Sequence, residues 1–144
     1  MIQLEKYGPL LARVSLALIF LLSGFGKLGA IESTAGYIAS KGLPAPVMLA
    51  VVAGLVEVIG GASVLLGLKA RWGALALVTF LVPVTLVFHN PAGLEGMAAQ
   101  MELIQFLKNL AIAGGLLAVA SFGPGPLSLE GWLSRRTVGR VAES

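Results

Sequence analysis

The chain of 144 residues contains no cysteine and only one histidine, His89. The lack of cysteine excludes disulfides, thiolate metal sites and Cys-x-x-Cys redox chemistry. A single histidine cannot build a metal site by itself, and it cannot supply both axial ligands of a bis-histidine haem. The sequence also carries no flavin-binding fingerprint. We therefore expect no metal, haem or flavin site in this chain.

Charged residues are scarce as well, at 12% of the chain against 57% apolar residues, and the mean hydropathy is +0.92. This composition indicates an integral membrane protein, because a soluble domain needs far less apolar material to fill its core. The net charge is only +3. The last basic residues of the chain, Arg135, Arg136 and Arg140, lie in one tail, which is typical of a membrane-surface anchor and not of a nucleic-acid interface. The length predicts a single domain over 1–144.

Four apolar segments are long enough to cross about 30 Å of hydrocarbon. We place them near 9–29, 47–68, 72–88 and 103–122. The stretch "ASKGLPAP" predicts a Gly/Pro loop between the first two segments, and only Lys69, Ala70 and Arg71 separate the next two, which predicts a tight hairpin. The predicted fold class is therefore all-α: an integral membrane four-helix bundle with an up-down-up-down path.

Basic residues are distributed unequally between the two sides of this path. One side holds six of the ten basic residues in its loops and tail: Lys6, Lys69, Arg71, Arg135, Arg136 and Arg140. The loops of the other side hold Lys41 together with the acids Glu32, Glu95 and Glu102. The positive-inside rule then predicts that both termini, and the tail at 123–144, are cytoplasmic.

Small residues at helical spacing mark the faces on which helices pack in lipid. The candidate packing positions are Gly24, Gly54, Gly60, Gly61, Gly114 and Gly115. Glu57 shares a helix face with Gly54 and Gly61, so we expect its carboxylate to point into the bundle and not at lipid.

Ionisable and amide side chains on the spans predict one enclosed polar site. The candidates for ligand binding or proton relay are Arg13, Lys27, Glu57, His89, Gln105, Lys108 and Asn109. An unpaired charge at the bilayer centre costs about three to more than ten kcal/mol, so Glu57 is expected to be protonated or paired with Lys108 or Arg13. Two interpretations of Glu57 stay open, a structural clasp and a functional group. His89 has two as well, a contact to a ligand at the outer rim and interfacial structure.

Four stretches in this order resemble the DoxX family of small bacterial four-helix membrane proteins: "RVSLALIFLLSGFGKL", "GLVEVIGGASVLLGLKARWGALAL", "FHN" and "QFLKNLAIAGGLLAVA". The resemblance covers about residues 10–122. The matching positions are Arg13, Gly24, Lys27, Glu57, Gly60, Gly61, Gly67, Arg71, His89, Gln105, Lys108, Asn109, Gly114 and Gly115. The chain departs from the family pattern after the histidine, where it has "HNPAGLEG" and family members often have an aromatic pair.

The resemblance implies a multi-pass protein of the bacterial plasma (inner) membrane and a connection to redox chemistry. The family is similar to the DoxD subunit of thiosulfate:quinone oxidoreductase, which implies a quinone-interacting subunit whose partner protein brings the redox cofactor. Such a subunit is not expected to catalyse redox chemistry alone, and no catalytic residue can be assigned. The alternative is a non-enzymatic scaffold, assembly factor or small-solute carrier with a structural polar core. The expected partners are the lipid bilayer, a redox partner and a second copy of the chain, and no nucleic acid.

Overall fold

A computed structural model describes residues 2–142 of the chain, with side chains at residues 3–135. Arg136 and Arg140, which contribute to the predicted basic tail, lie outside the residues whose side chains are described. The helices are α1 Ile2–Gly29, α2 Ile31–Ser40, α3 Pro46–Leu66, α4 Ala70–Phe88, α5 Gly96–Phe122 and α6 Leu129–Ala142. Within residues 2–142 there is no β-strand. The all-α fold is thereby confirmed.

Four of these helices, α1, α3, α4 and α5, are long and apolar enough to cross a membrane. They correspond to the four predicted spans. The bundle is built as a chain of neighbours, because α1 packs mainly against α3, α3 against α4, and α4 against α5. Contacts between α1 and α5 are few, so the ring of helices is only loosely closed on that side. The sidedness of the termini stays a prediction.

The two ends of the bundle differ in the helix ends that they contain. The Arg13 end holds the starts of α1 and α4, the ends of α3 and α5, and α6. The His89 end holds the end of α4, the start of α5, and α2. The core between the ends is made of small and aliphatic side chains, of which Ala17, Val64, Leu77 and Leu116 are completely buried.

The connection between α1 and α3 differs from the predicted loop. Residues 31–40 form the short helix α2, and only Ala30 and residues 41–45 are irregular. Its apolar residues Ile31, Ala35 and Ile38 recur at spacings of four and three, so they share one face. That face packs beside Ala50 of α3. The Gly/Pro stretch therefore marks only the end of the connection, where Pro46 occupies the first turn of α3.

Helix ends also differ from the predicted spans. α5 begins at Gly96, seven residues before the predicted 103, and α1 begins at Ile2, before the predicted 9. At about 1.5 Å per residue the 28 residues of α1 and the 27 of α5 exceed the roughly 30 Å of a bilayer core. Hydropathy identifies the part of a helix that lies in the hydrocarbon core, so it does not predict the first turns of α1 and α5, which extend beyond that core.

The turn between α3 and α4 runs through Gly67, Leu68 and Lys69, and α4 already begins at Ala70. Gly67 at φ +65 and Lys69 at φ +49 both adopt left-handed conformations. A left-handed residue ends α3 and another begins α4, which reverses the chain within three residues.

The predicted tail, which the structure describes at residues 123–142, contacts the bundle. α6 occupies Leu129–Ala142, and the backbone N–H of Glu130 donates to the carbonyl of Gly67 at 3.2 Å. Ser128 is buried at the Arg13 end. The segment between α5 and α6 thus folds back onto the turn between α3 and α4.

Candidate functional site

The carboxylate of Glu57, near the middle of α3, forms an ion pair with Lys27 of α1. The ammonium of Lys27 lies 2.8 Å from Oε2 and 3.0 Å from Oε1 of Glu57. Lys27 also donates to the hydroxyl of Ser23 at 2.6 Å, and that hydroxyl donates to Oε1 of Glu57 at 3.2 Å. The three residues form a closed network, which we call the α1–α3 clasp. Glu57 is paired, as required of a charge at membrane depth.

The predicted partners of Glu57, Lys108 and Arg13, were wrong. The contact between α1 and α3 is the most extensive of any helix pair. The close approach of Gly24 to Gly54 sets the register of α1 against α3. A Cβ on Gly24 would lie 2.9 Å from the carbonyl oxygen of Gly54, so only hydrogen atoms fit between the two backbones. This close approach brings Lys27, one turn further along α1, within reach of Glu57.

Arg13 forms a separate clasp at the Arg13 end. Its guanidinium donates to the carbonyl oxygens of Val64 at 3.3 Å and Leu65 at 3.2 Å, and also to that of Leu127. The side chain is 1% exposed and its Nε has no partner among the described residues. The carbonyls of Val64 and Leu65 belong to the last turn of α3, where the helix dipole favours a positive charge. Arg13 therefore ties α1, α3 and the segment after α5 together, and it does not reach Glu57.

A second polar cluster lies at the His89 end, between α4 and α5. The amide of Asn109 donates to the hydroxyl of Thr85 at 3.0 Å, and that hydroxyl donates to the carbonyl of Leu81 at 2.7 Å. His89 Nδ1 lies 3.0 Å from a carboxylate oxygen of Glu102. Asn109 and Glu102 are seven residues apart, so both bonds lie on the same face of α5 about 10 Å apart.

Gln105 and Lys108 of α5 do not enter either cluster. Both are exposed, and within residues 3–135 no hydrogen bond or ion pair involves them. Lys108 lies two turns from Gly115, which contacts Leu16 of α1, so Lys108 shares the face of α5 that is turned toward α1. The loose contact between these helices leaves that face open near Lys108.

Most of the candidate packing glycines lie at helix contacts. A Cβ on Gly60 would lie 2.7 Å from Leu77 of α4, one on Gly61 would lie 3.1 Å from Leu21, and one on Gly115 would lie 3.1 Å from Leu16. Gly24 and Gly54 form the contact described above. Gly114 differs, because a Cβ there would meet no atom within 4 Å. The packing role predicted for Gly114 thus has no counterpart within the described chain.

One cavity adjoins the polar cluster at the His89 end. It has a volume of about 130 Å³ and lies between α4 and α5, where Phe106, Leu110 and Ala113 line it beside Asn109 and Thr85. An apolar cavity of about 150 Å³ is large enough to admit a benzene ring. We call this cavity the α4–α5 pocket. Its walls are apolar except for the amide and hydroxyl, so it offers a ring-sized space with polar groups at one point.

No group of three or more His, Cys, Asp or Glu residues among the described side chains is placed to hold a metal ion. Five of the seven predicted site residues lie in three separate places: the α1–α3 clasp, the Arg13 clasp and the polar cluster at the His89 end. The other two, Gln105 and Lys108, are exposed on α5. Sequence reasoning missed Ser23, Thr85 and Phe106. Ser23 precedes Lys27 by one turn, and this spacing is the signal that could have indicated it.

Comparison with known proteins agrees with this architecture. The DoxX family model matches residues 8–90. Inner membrane protein YphA of Escherichia coli strain K12 is 34% identical over 121 residues, which cover 84% of this chain and 86% of that protein. Inner membrane protein YqjF of the same strain is 32% identical over 134 residues, covering 93% and 98% of the two chains. No solved structure matches.

Proposed function

The chain belongs to the DoxX family, and on that premise we propose that it is a multi-pass inner-membrane subunit of a redox system that binds a quinone. The observation that carries the proposal is the α4–α5 pocket, an apolar space the size of one ring with an amide at its wall. Two relatives of nearly the same length are named as inner membrane proteins, which supports this location.

The pocket offers a quinone what its ring needs. A quinone headgroup requires an apolar slot and a hydrogen-bond donor for a carbonyl oxygen. The amide nitrogen of Asn109 uses one N–H on Thr85 and keeps the other for a ligand. Phe106 provides an aromatic ring for stacking. The isoprenoid tail would leave the pocket between α4 and α5 into lipid.

Electrons would come from a partner protein, because the sequence has no cysteine, haem ligand pair or flavin fingerprint. Reduction of a quinone to the quinol also needs a proton at each carbonyl oxygen. His89 with Glu102 lies at the same end of the bundle as the α4–α5 pocket and can exchange protons there. Glu57 is held in the α1–α3 clasp, so in this proposal it stabilises the fold.

α5 is the helix on which the partner or a second copy of the chain would dock. It is the least buried of the four spans, with 11% of its apolar window buried. Gln105, Lys108 and Gly114 are exposed on it. Polar side chains on a spanning helix are most stable against another helix, because lipid offers them no hydrogen bonds.

Ligand stabilisation tests the proposal. A short-chain ubiquinone analogue, whose headgroup is a single ring, should raise the melting temperature of the purified protein, since a ligand of the folded state stabilises it in proportion to its occupancy. Asn109→Leu should abolish the shift. Gln105→Leu is the matched control, because it removes an exposed amide on the same helix and should keep the shift. An organic extract of the purified protein should contain quinone.

The second candidate function is that of a non-enzymatic scaffold, assembly factor or small-solute carrier, and it is favoured if quinone does not raise the melting temperature. The α1–α3 clasp supports it, because Ser23, Lys27 and Glu57 satisfy one another and need no ligand. No melting shift with the short-chain ubiquinone, in protein shown to be folded by its circular dichroism, would reject quinone binding and leave this candidate.

A further inference from the structure

A larger groove lies between α1 and α5 at the Arg13 end. Its cavity volume is about 450 Å³, within the range of about 300–1,000 Å³ that ligand sites occupy. Its walls are small or apolar, with Pro9 and Ala12 on α1 and Ala118 and Phe122 on α5. The groove exists because these two helices make few contacts. We call it the α1–α5 groove.

The guanidinium of Arg71 lies at one end of this groove. Gly123 lines the groove, and a Cβ built on it would lie 3.2 Å from Nη2 and 3.3 Å from Nε of Arg71. Gly123 has φ +85, a conformation that strains other residues, so no side chain covers the opening. Arg71 is exposed, and no hydrogen bond or ion pair involves it within residues 3–135. The guanidinium of Arg71, which has no partner within residues 3–135, therefore lies at the end of the apolar α1–α5 groove.

Further positive charge surrounds this end of the molecule. Lys6, Lys69 and Arg135 lie there with Arg71, against the acids Glu5 and Glu130. Basic residues at the end of a membrane span attract the headgroups of anionic lipids. A zwitterionic headgroup carries a positive charge, which these basic residues repel. The glycerol headgroup of phosphatidylglycerol carries no positive charge.

We propose that the α1–α5 groove holds an acyl chain of an anionic phospholipid whose phosphate binds Arg71. Arginine binds phosphate with two parallel N–H donors, which positions the headgroup at the groove's end. The apolar walls then bury the acyl chain. This lipid site lies on a different pair of helices from the α4–α5 pocket and does not depend on the proposed function.

Native mass spectrometry of the protein released from vesicles with equal amounts of dioleoyl phosphatidylglycerol and dioleoyl phosphatidylcholine tests this site. The wild type should retain phosphatidylglycerol in preference. Arg71→Gln should lower that preference by more than about fivefold, because the bidentate contact to phosphate adds to the roughly fivefold effect of a basic residue that only lies near an anionic lipid. Ala118→Phe, which fills the groove from an exposed position, should reduce retention of both lipids. Lys6→Gln is the control for charge at the same end and should change the preference much less.

Three results would overturn the proposal. Equal retention of both lipids by the wild type would show that the groove does not select a headgroup. Equal losses in Arg71→Gln and Lys6→Gln would show general surface attraction and no site. Retention of added ubiquinone in place of phospholipid, lost in Ala118→Phe but unchanged in Arg71→Gln, would assign the groove to a quinone tail.

Discussion

The α1–α3 clasp makes a quantitative prediction about Lys27. Removing one partner of a buried ion pair costs about 3–5 kcal/mol, because the other charge is left without compensation. Lys27 is 28% exposed and Glu57 only 7%, so the full penalty does not apply. We expect Lys27→Met to lower the free energy of unfolding by about 2–3 kcal/mol, since it strands the more buried group.

The reciprocal change should cost less. In Glu57→Gln the amide oxygen still accepts from Ser23 and Lys27. Lys27 is also two residues from the end of α1, so its ammonium can extend toward the membrane surface. The expected loss is about 1 kcal/mol. The double variant Lys27→Met/Glu57→Gln removes both charges and should lose about 1 kcal/mol, which gives a coupling energy of about 2–3 kcal/mol.

Equilibrium unfolding with sodium dodecyl sulfate in mixed micelles, followed by circular dichroism, measures all four proteins. Lys41→Met is the control, because Lys41 is exposed and its ammonium lies 5.8 Å from the centre of the Tyr37 ring, away from the clasp. It should change stability by less than about 1 kcal/mol. Additive losses in the double variant would refute the reasoning, because they would mean that Lys27 and Glu57 do not stabilise each other.

Three further predictions concern topology, the second clasp and helix packing. Reporter fusions after Ala39 and after Ala142 should show opposite sidedness, and like sidedness would contradict the four-span path. Arg13→Met should cost about 2–4 kcal/mol by removing the guanidinium donor from the carbonyl groups of Leu65 and Leu127, and should expose the segment after α5 to protease; unchanged cleavage would argue against the clasp. Gly60→Ala should cost about 1–3 kcal/mol by overpacking, whereas Gly114→Ala should be neutral or stabilise by up to about 1 kcal/mol, and equal melting temperatures would contradict this difference.

Hydropathy was sufficient to predict the four spanning helices, because the requirement for about 20 apolar residues per crossing leaves a clear pattern. It did not predict α2, whose ten residues are too short to span. It also did not predict the first turns of α5, where Gln100 and Glu102 continue the helix beyond the apolar stretch. Helix propensity and packing, which hydropathy does not measure, decide these boundaries.

The partner of Glu57 could not be predicted in the same way. Helical periodicity tells which residues share a face of one helix, but it does not tell which neighbouring helix that face meets. Lys27 and Lys108 both lie at plausible depth. The choice depends on the close contact of Gly24 with Gly54, which brings α1 and not α5 to Glu57. For the same reason the polar residues appeared as one site in the sequence and occupy separate places in the structure.

The bond between Arg13 and Leu127 has a consequence for the order of biosynthesis. The two residues are 114 positions apart, so Arg13 leaves the ribosome on the order of ten seconds before its acceptor exists, at about 5–20 residues per second. Glu57, the partner of Lys27, is synthesised only 30 residues after it. The first helix therefore enters the membrane with a guanidinium whose last partner, Leu127, is synthesised after all four spanning helices. The Arg13 end can close only after Leu127 has been synthesised, whereas the α1–α3 clasp can form early.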